Sequence, residues 1–214
     1  MTKEELKKII NICSNQEEVR EAVKKNHDNN LWWPLDVDDY KKRLLIAGLS
    51  TRISYNMIDS YRKVINNLNS YTYDEIKTLS NDELIKLIAD NVNGASYKVA
   101  QCCVLYMRGY YSGIMPVDSG MKDVELPCLG FEQYKNAVGH DILRKELEKL
   151  TKDNNMKEII KQNGYEELKV DDYNNATWFC HLVLIYYKRY FCNKHNPENC
   201  PLKNYVEVKC KCRK

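Results

Sequence analysis

Glycine and proline are scarce, at 8 and 5 of 214 residues. Strands and loops depend on such turn residues, so the shortage excludes a strand-rich or loop-rich chain and leaves helices. No apolar run approaches membrane-spanning length and no signal-like segment opens the chain, so a cytoplasmic protein is expected. An excess of one charge is missing too. The net charge is only +3, from 33 basic and 30 acidic residues, so any nucleic-acid binding needs local basic patches. What is abundant is apolar and aromatic: 43% of residues are hydrophobic and 16 are Tyr. That composition is not disordered, and the length suits one sizeable domain or two small ones sharing a core. Nine cysteines in a reducing compartment are thiols or metal ligands rather than disulfides.

Along the chain, capping-box patterns at Thr2-x-x-Glu5 and Ser14-x-x-Glu17 predict short helices over Lys3–Ile12 and Asn15–Lys25, with a polar loop from Asn26 to Asn30. Leu31-Trp32-Trp33-Pro34 then precedes an apolar core helix expected over Val37–Leu49. Ser54–Leu68 fits a helix with Tyr55, Ile58, Tyr61, Ile65 and Leu68 on one face, and shorter helices are expected over Thr72–Leu79 and Ser80–Ala89. Further helical pieces are expected at Gly120–Leu126, Phe131–Ala137, Leu143–Leu150, Met156–Ile160 and Tyr165–Leu168. A last long helix over Asp172–Phe191 carries Trp178, Leu182, Ile185 and Tyr186 at core spacing.

The segment richest in chemistry is Gly94–Asp118. Gly94-Ala95-Ser96-Tyr97-Lys98-Val99-Ala100 has the form of a tight turn feeding a helix, whose first amides can bind an anion such as a phosphate. The helix is broken at Gly109 and Gly113, and Pro116-Val117 leads Asp118 into a new helix. Asp118 there is an N-cap, and the cap amides also keep its carboxylate ionised for chemistry. Lys98 is either an ordinary solvated lysine or an amine facing Asp118, its nucleophilicity raised by the helix N-terminus.

These residues resemble the helix-hairpin-helix DNA glycosylases of the endonuclease III superfamily. That family's hairpin reads Pro-Gly-hydrophobic-Gly-x-Lys-x-Ala and is followed about twenty residues on by Val-Asp, matched here by Asn93–Ala100 and by Val117-Asp118. Ser96 replaces the second hairpin glycine and Asn93 the proline. The chain has room for only one of the family's two helical hairpins, so Asn91–Ala100 is either the true hairpin or the family's first loop. Trp-Trp-Pro, the apolar helix and Leu49-Ser50-Thr51-Arg52-Ile53-Ser54 resemble the loop whose glutamine fills the gap left by an extruded base, with Arg52 in its place. The resemblance implies that Asp118 is catalytic, that Lys98 attacks the sugar in a lyase step, and that Arg52, Gly94, Ser96 and Tyr97 contact DNA.

Cys192, Cys200, Cys210 and Cys212 fall as Cys-x7-Cys-x9-Cys-x-Cys in a tail poor in apolar residues. They are unrelated thiols, or ligands of one metal centre that orders the tail in place of a core. Leu184-Ile185-Tyr186-Tyr187-Lys188-Arg189-Tyr190-Phe191-Cys192 resembles the glycosylases' entry into a [4Fe–4S] loop, although the cysteine spacing departs from theirs. The resemblance makes [4Fe–4S] the first expectation, with zinc the alternative. Cys13, Cys102, Cys103, Cys128 and Cys180 read as small core residues, and His140 and His181 show no site-like spacing.

The expected fold is all-α and two-lobed. A helix-hairpin-helix lobe would span 31–130, and a second lobe would combine 1–30 with 131–214 and end in the cysteine loop at 192–212. The implied function is excision of a damaged or mismatched base from double-stranded DNA by a monomer. A non-catalytic DNA-binding relative, and a glycosylase acting on a nucleoside or other modified nucleic acid, stay open beside it.

Overall fold

The computed structural model describes residues 1–29, 39, 42–43, 59, 62–63, 66, 72–92, 96–109, 112–152, 154–164, 173–194 and 197–205. Among these the chain is all-α, with no strand. The helices expected over Val37–Leu49, Ser54–Leu68 and Tyr165–Leu168 lie largely or wholly outside the described residues, as do Trp32 and Trp33.

Two helices open the chain, α1 (Lys3–Ser14) and α2 (Glu17–Asn29). Thr2 and Glu5 form the expected capping box, in which the Thr2 hydroxyl accepts from the Glu5 amide and the Glu5 carboxylate accepts from the Thr2 amide. Such a cap is worth about 1 kcal/mol. The second expected box does not form, because Ser14 stays inside α1 and its hydroxyl donates to the Asn11 carbonyl at 3.2 Å. Nor does α2 stop at Lys25. Asn26 is fully buried and its amide reaches the Tyr186 hydroxyl, so tertiary packing carries the helix through a stretch whose composition reads as loop.

Capping boxes at Thr72/Glu75 and Ser80/Glu83 start α3 (Tyr73–Thr78) and α4 (Asn81–Asn91). The next helix, α5 (Tyr97–Arg108), ends at Gly109 with φ 95°, a left-handed backbone that a side chain would oppose. A non-helical run, 113–118, leads into a five-residue π-helix (Met121–Glu125) that passes directly into one α turn, α6 (Leu126–Cys128). Then come α7 (Gly139–Thr151), α8 (Lys157–Gln162) and α9 (Tyr173–Tyr190), followed by 3-10 turns at Cys192–Lys194 and Pro197–Asn199. The helix expected over Phe131–Ala137 is absent: Lys122 Nζ donates to the Tyr134 carbonyl at 2.8 Å, occupying an acceptor that a helix would use internally.

From Ala176 to Lys188, α9 is buried without interruption, Trp178, Leu182, Ile185 and Tyr186 included. A helix apolar all round is one surrounded by others, and α1, α2, α7, α8 and the π-helix all pack on it. On the other side α4 packs on α5, and α5 on α7. Arg144 of α7 is 1% exposed and binds Asp82 of α4 together with Asp141 and Glu148 of its own helix. A cation so deep persists only with such full pairing.

Candidate active site

The site assembles where the run 113–118 meets the π-helix, between α5 and α9. Its backbone is fixed by one buried amide. Gln101 of α5, fully buried, accepts from the Val117 amide at 3.1 Å and donates to the His140 carbonyl at 3.1 Å. His140 Nδ1 lies 2.7 Å from the Val117 carbonyl, and because a carbonyl can only accept, Nδ1 carries the proton. Both polar groups of Val117 are thereby held, and the next residue, Asp118, is delivered at a set position.

Asp118 caps the following helix, as its place after Pro116-Val117 suggests. Its Oδ1 accepts from the Met121 amide at 2.7 Å. Its Oδ2 is ion-paired with Lys188 of α9, a contact buried on the lysine side and 20% exposed on the aspartate side. Burial alone would raise the carboxyl, but the Lys188 charge and hydrogen bond, the Met121 amide and the Lys98 charge together hold it below its ordinary range. Asp118 is therefore an ionised carboxylate, one-fifth exposed.

Lys98 occupies the first turn of α5 and is half-buried. Its charge acts on Asp118, on Cys102 one turn along the same helix, and on His140. The structure thus brings Lys98 to the Asp118 side of α5. Burial pushes the Cys102 thiol up to about 11, with Lys98 partly offsetting and Asp118 adding to the effect, so the thiol is neutral there. Ser96 stands at the N-cap of α5 in an extended conformation without a side-chain cap bond, and Tyr97 packs half-buried against the core. Arg52 and Gly94 lie outside the described residues, as do Asn93 and Ala95, so the shape of the hairpin itself is not described.

Three groups escape the sequence reading. Lys188 is one of 33 basic residues, and nothing in its neighbourhood marks it as the partner of a residue 70 positions away. Glu125 is 1% exposed, with no hydrogen-bond partner for either carboxylate oxygen among the described residues. Burial raises its carboxyl well above the ordinary range, Lys188 counteracts this in part and Asp118 adds to it, so Glu125 is a neutral acid. His181, on α9 and 3% exposed, is drawn down to about 4 by burial against the pull of Asp118 and is a neutral imidazole at physiological pH. The π-helix is the signal of this irregularity, since its extra residue per turn marks a helix bent around a site.

At the far end of α9, Cys192 is buried and Cys200 lies 3.1 Å from the Tyr187 hydroxyl. Cys210 and Cys212 lie outside the described residues. Among the described residues no three His, Cys, Asp or Glu side chains come together as a metal site, and none of the seven described cysteines is in a disulfide. Cys13, Cys103 and Cys180 are fully buried, and Cys102 and Cys128 are partly buried. No described helix is long and apolar enough to cross a membrane. No protein-family model matches the chain, and neither a curated protein nor a solved structure is significantly similar to it.

Proposed function

We propose that this chain is a DNA N-glycosylase that removes a damaged or mismatched base from a flipped-out nucleotide, with Asp118 as its catalytic carboxylate. The observation that carries the reading is Asp118 itself: ionised, hydrogen-bonded to a helix amide and one-fifth exposed, with a half-buried lysine on α5 whose charge acts on it. As the N-glycosidic bond breaks, positive charge builds on the sugar, and a fixed carboxylate nearby stabilises it or orients water for attack on the anomeric carbon. Lys98, on giving up a proton, can instead attack that carbon as the base leaves; opening of the sugar ring then gives an imine, and loss of a proton from the adjacent carbon with expulsion of the 3′-phosphate is the lyase step. In this reading the amides at the start of α5 hold a phosphate, Arg52 fills the vacated stack, and Gly94, Ser96 and Tyr97 line the DNA path. The two-lobed division at residue 130 belongs to the same proposal, as does the helix-hairpin-helix.

Cys192, Cys200, Cys210 and Cys212 would hold a [4Fe–4S] cluster, or zinc, as a structural centre that fastens the tail to the end of α9. The Tyr187 hydroxyl at the Cys200 sulfur suits such a site, because a hydroxyl donor stabilises a thiolate ligand.

Asp118→Asn keeps the shape and the cap while removing the charge. Base release from damaged duplexes should slow by about 4 kcal/mol of barrier or more, with DNA binding retained. Equal rates in wild type and variant would refute the assignment. One observation favours a second reading. The ion pair with Lys188 already satisfies Asp118, as befits a non-catalytic DNA-binding relative, and binding without base release by the wild type would identify it.

A further inference from the structure

The ion pair also bears on how the site would work. Lys188 reaches Asp118 by laying its chain across Gly120. A Cβ at Gly120 would meet Lys188 Cδ at 2.9 Å, Nζ at 3.2 Å and Cε at 3.3 Å. Gly120 has helical backbone angles, φ −67° and ψ −35°, so its lack of a side chain concerns space, not conformation. The position behind Asp118 is thus shaped for one long, straight amine.

We propose that Lys188 is the positioning residue of the Asp118 site, an ammonium held behind the carboxylate that fixes its orientation and its charge while Lys98 remains the amine open to a substrate. The inference rests on the glycosylase reading. Exposure divides the two lysines. The Lys188 side chain is 6% exposed and sealed between α9 and the π-helix, out of reach of a sugar, whereas Lys98 is half-buried at the start of α5. Oδ1 is aimed by the Met121 amide and Oδ2 by Lys188, so the carboxylate cannot rotate, and each oxygen keeps a further lone pair for charge developing in front of it. The groups facing Asp118 are Lys188 and His181 from α9, Lys98 and Cys102 from α5, and Glu125 from the π-helix. Cys102, His181 and Glu125 are neutral at working pH for the reasons given above. Among the described residues the charges acting on Asp118 are therefore two lysines, and of these Lys188 touches it.

The test is the pH dependence of single-turnover base release by the full chain, using the duplex on which the wild type acts fastest among a panel each carrying one damaged or mismatched base. Lys188→Met should shift the acid limb toward neutrality by about one pH unit or more and lower the plateau about tenfold or more, with DNA affinity unchanged. Lys188→Arg, which restores the charge, should return the acid limb toward the wild-type position. Gly120→Ala should shift the limb in the same direction as Lys188→Met by pushing the ammonium off Oδ2, and it serves where Lys188→Met does not fold. A wild-type profile in folded Lys188→Met, or in Gly120→Ala, would overturn the inference while leaving the glycosylase reading intact. A wild type that releases no base from any duplex would remove that reading first, and this inference with it.

Discussion

At Glu125 burial and charge act against each other, and burial wins. The carboxyl sits 1% exposed without a hydrogen-bond partner among the described residues, so it keeps its proton where an exposed glutamate would have lost it. In the unfolded chain the same group ionises in the ordinary carboxylate range. The folded protein therefore forgoes stability as pH rises through and above that range, because the unfolded state sheds a proton that the folded state retains. Glu125→Gln keeps the neutral shape and does not titrate. Its melting temperature relative to the wild type should rise as pH increases through and above the ordinary carboxylate range, measured by thermal unfolding across a pH series. An offset that stays flat or falls as pH rises would show that Glu125 is ionised in the fold. The same residue-scale physics explains Gly120, where a hydrogen in place of a methyl group admits Lys188.

At the scale of elements, the site depends on three pieces meeting: α5, the π-helix and α9. Gln101 joins α5 to the non-helical run before Asp118 and to the start of α7, and it does so with both ends of one buried amide. Gln101→Leu would keep the volume but leave the Val117 amide buried without that partner, while the His140 carbonyl in the first turn of α7 keeps its helical bond. An orphaned buried group costs about 1–3 kcal/mol, so the substitution should destabilise by that amount in denaturant unfolding, with an unchanged m-value. Base release should fall along with it, because Asp118 follows Val117 directly. A stability loss below about 0.5 kcal/mol would mean that the Val117 amide finds another partner. Helix starts, by contrast, are governed locally. Thr2/Glu5, Thr72/Glu75 and Ser80/Glu83 each close a capping box within four consecutive residues, and only at Ser14-x-x-Glu17 among these patterns does the continuing first helix prevent it.

At the scale of the whole molecule, the chain relies on α9 as a shared wall, with the Asp118 pair on one turn and the cysteine tail at its C-terminal end. Cys192 and Cys200 flank a stretch whose described residues form short 3-10 turns and whose sequence is poor in apolar side chains, which is where a metal centre would substitute for a core. Protein purified without oxygen should carry one centre per chain, brown for [4Fe–4S] or colourless with stoichiometric zinc, and Cys200→Ser should lose it. Metal-free wild type with an ordered, protease-resistant tail would refute the centre.

What the sequence determined by itself is what neighbouring residues settle among themselves. The shortage of glycine and proline, the 3.6-residue spacing and the capping boxes account for an all-helical chain, and the order Pro116-Val117-Asp118 accounts for a carboxylate at a helix N-terminus. The apolar spacing of Trp178, Leu182, Ile185 and Tyr186 likewise marks a buried helix before any fold is known. Only the tertiary structure decided that Asn26 continues α2, that Phe131–Ala137 is not a helix, and that Lys188, Glu125 and His181 gather around Asp118. The continuation of α2, the loss of the helix over 131–137 and the placing of Lys188 turn on partners between 12 and 160 positions away. A charged or polar side chain carries no local mark of whether it will be solvated or buried. That is settled by which helix face arrives opposite it, and the free energy of burying a charge is large enough to override local propensity.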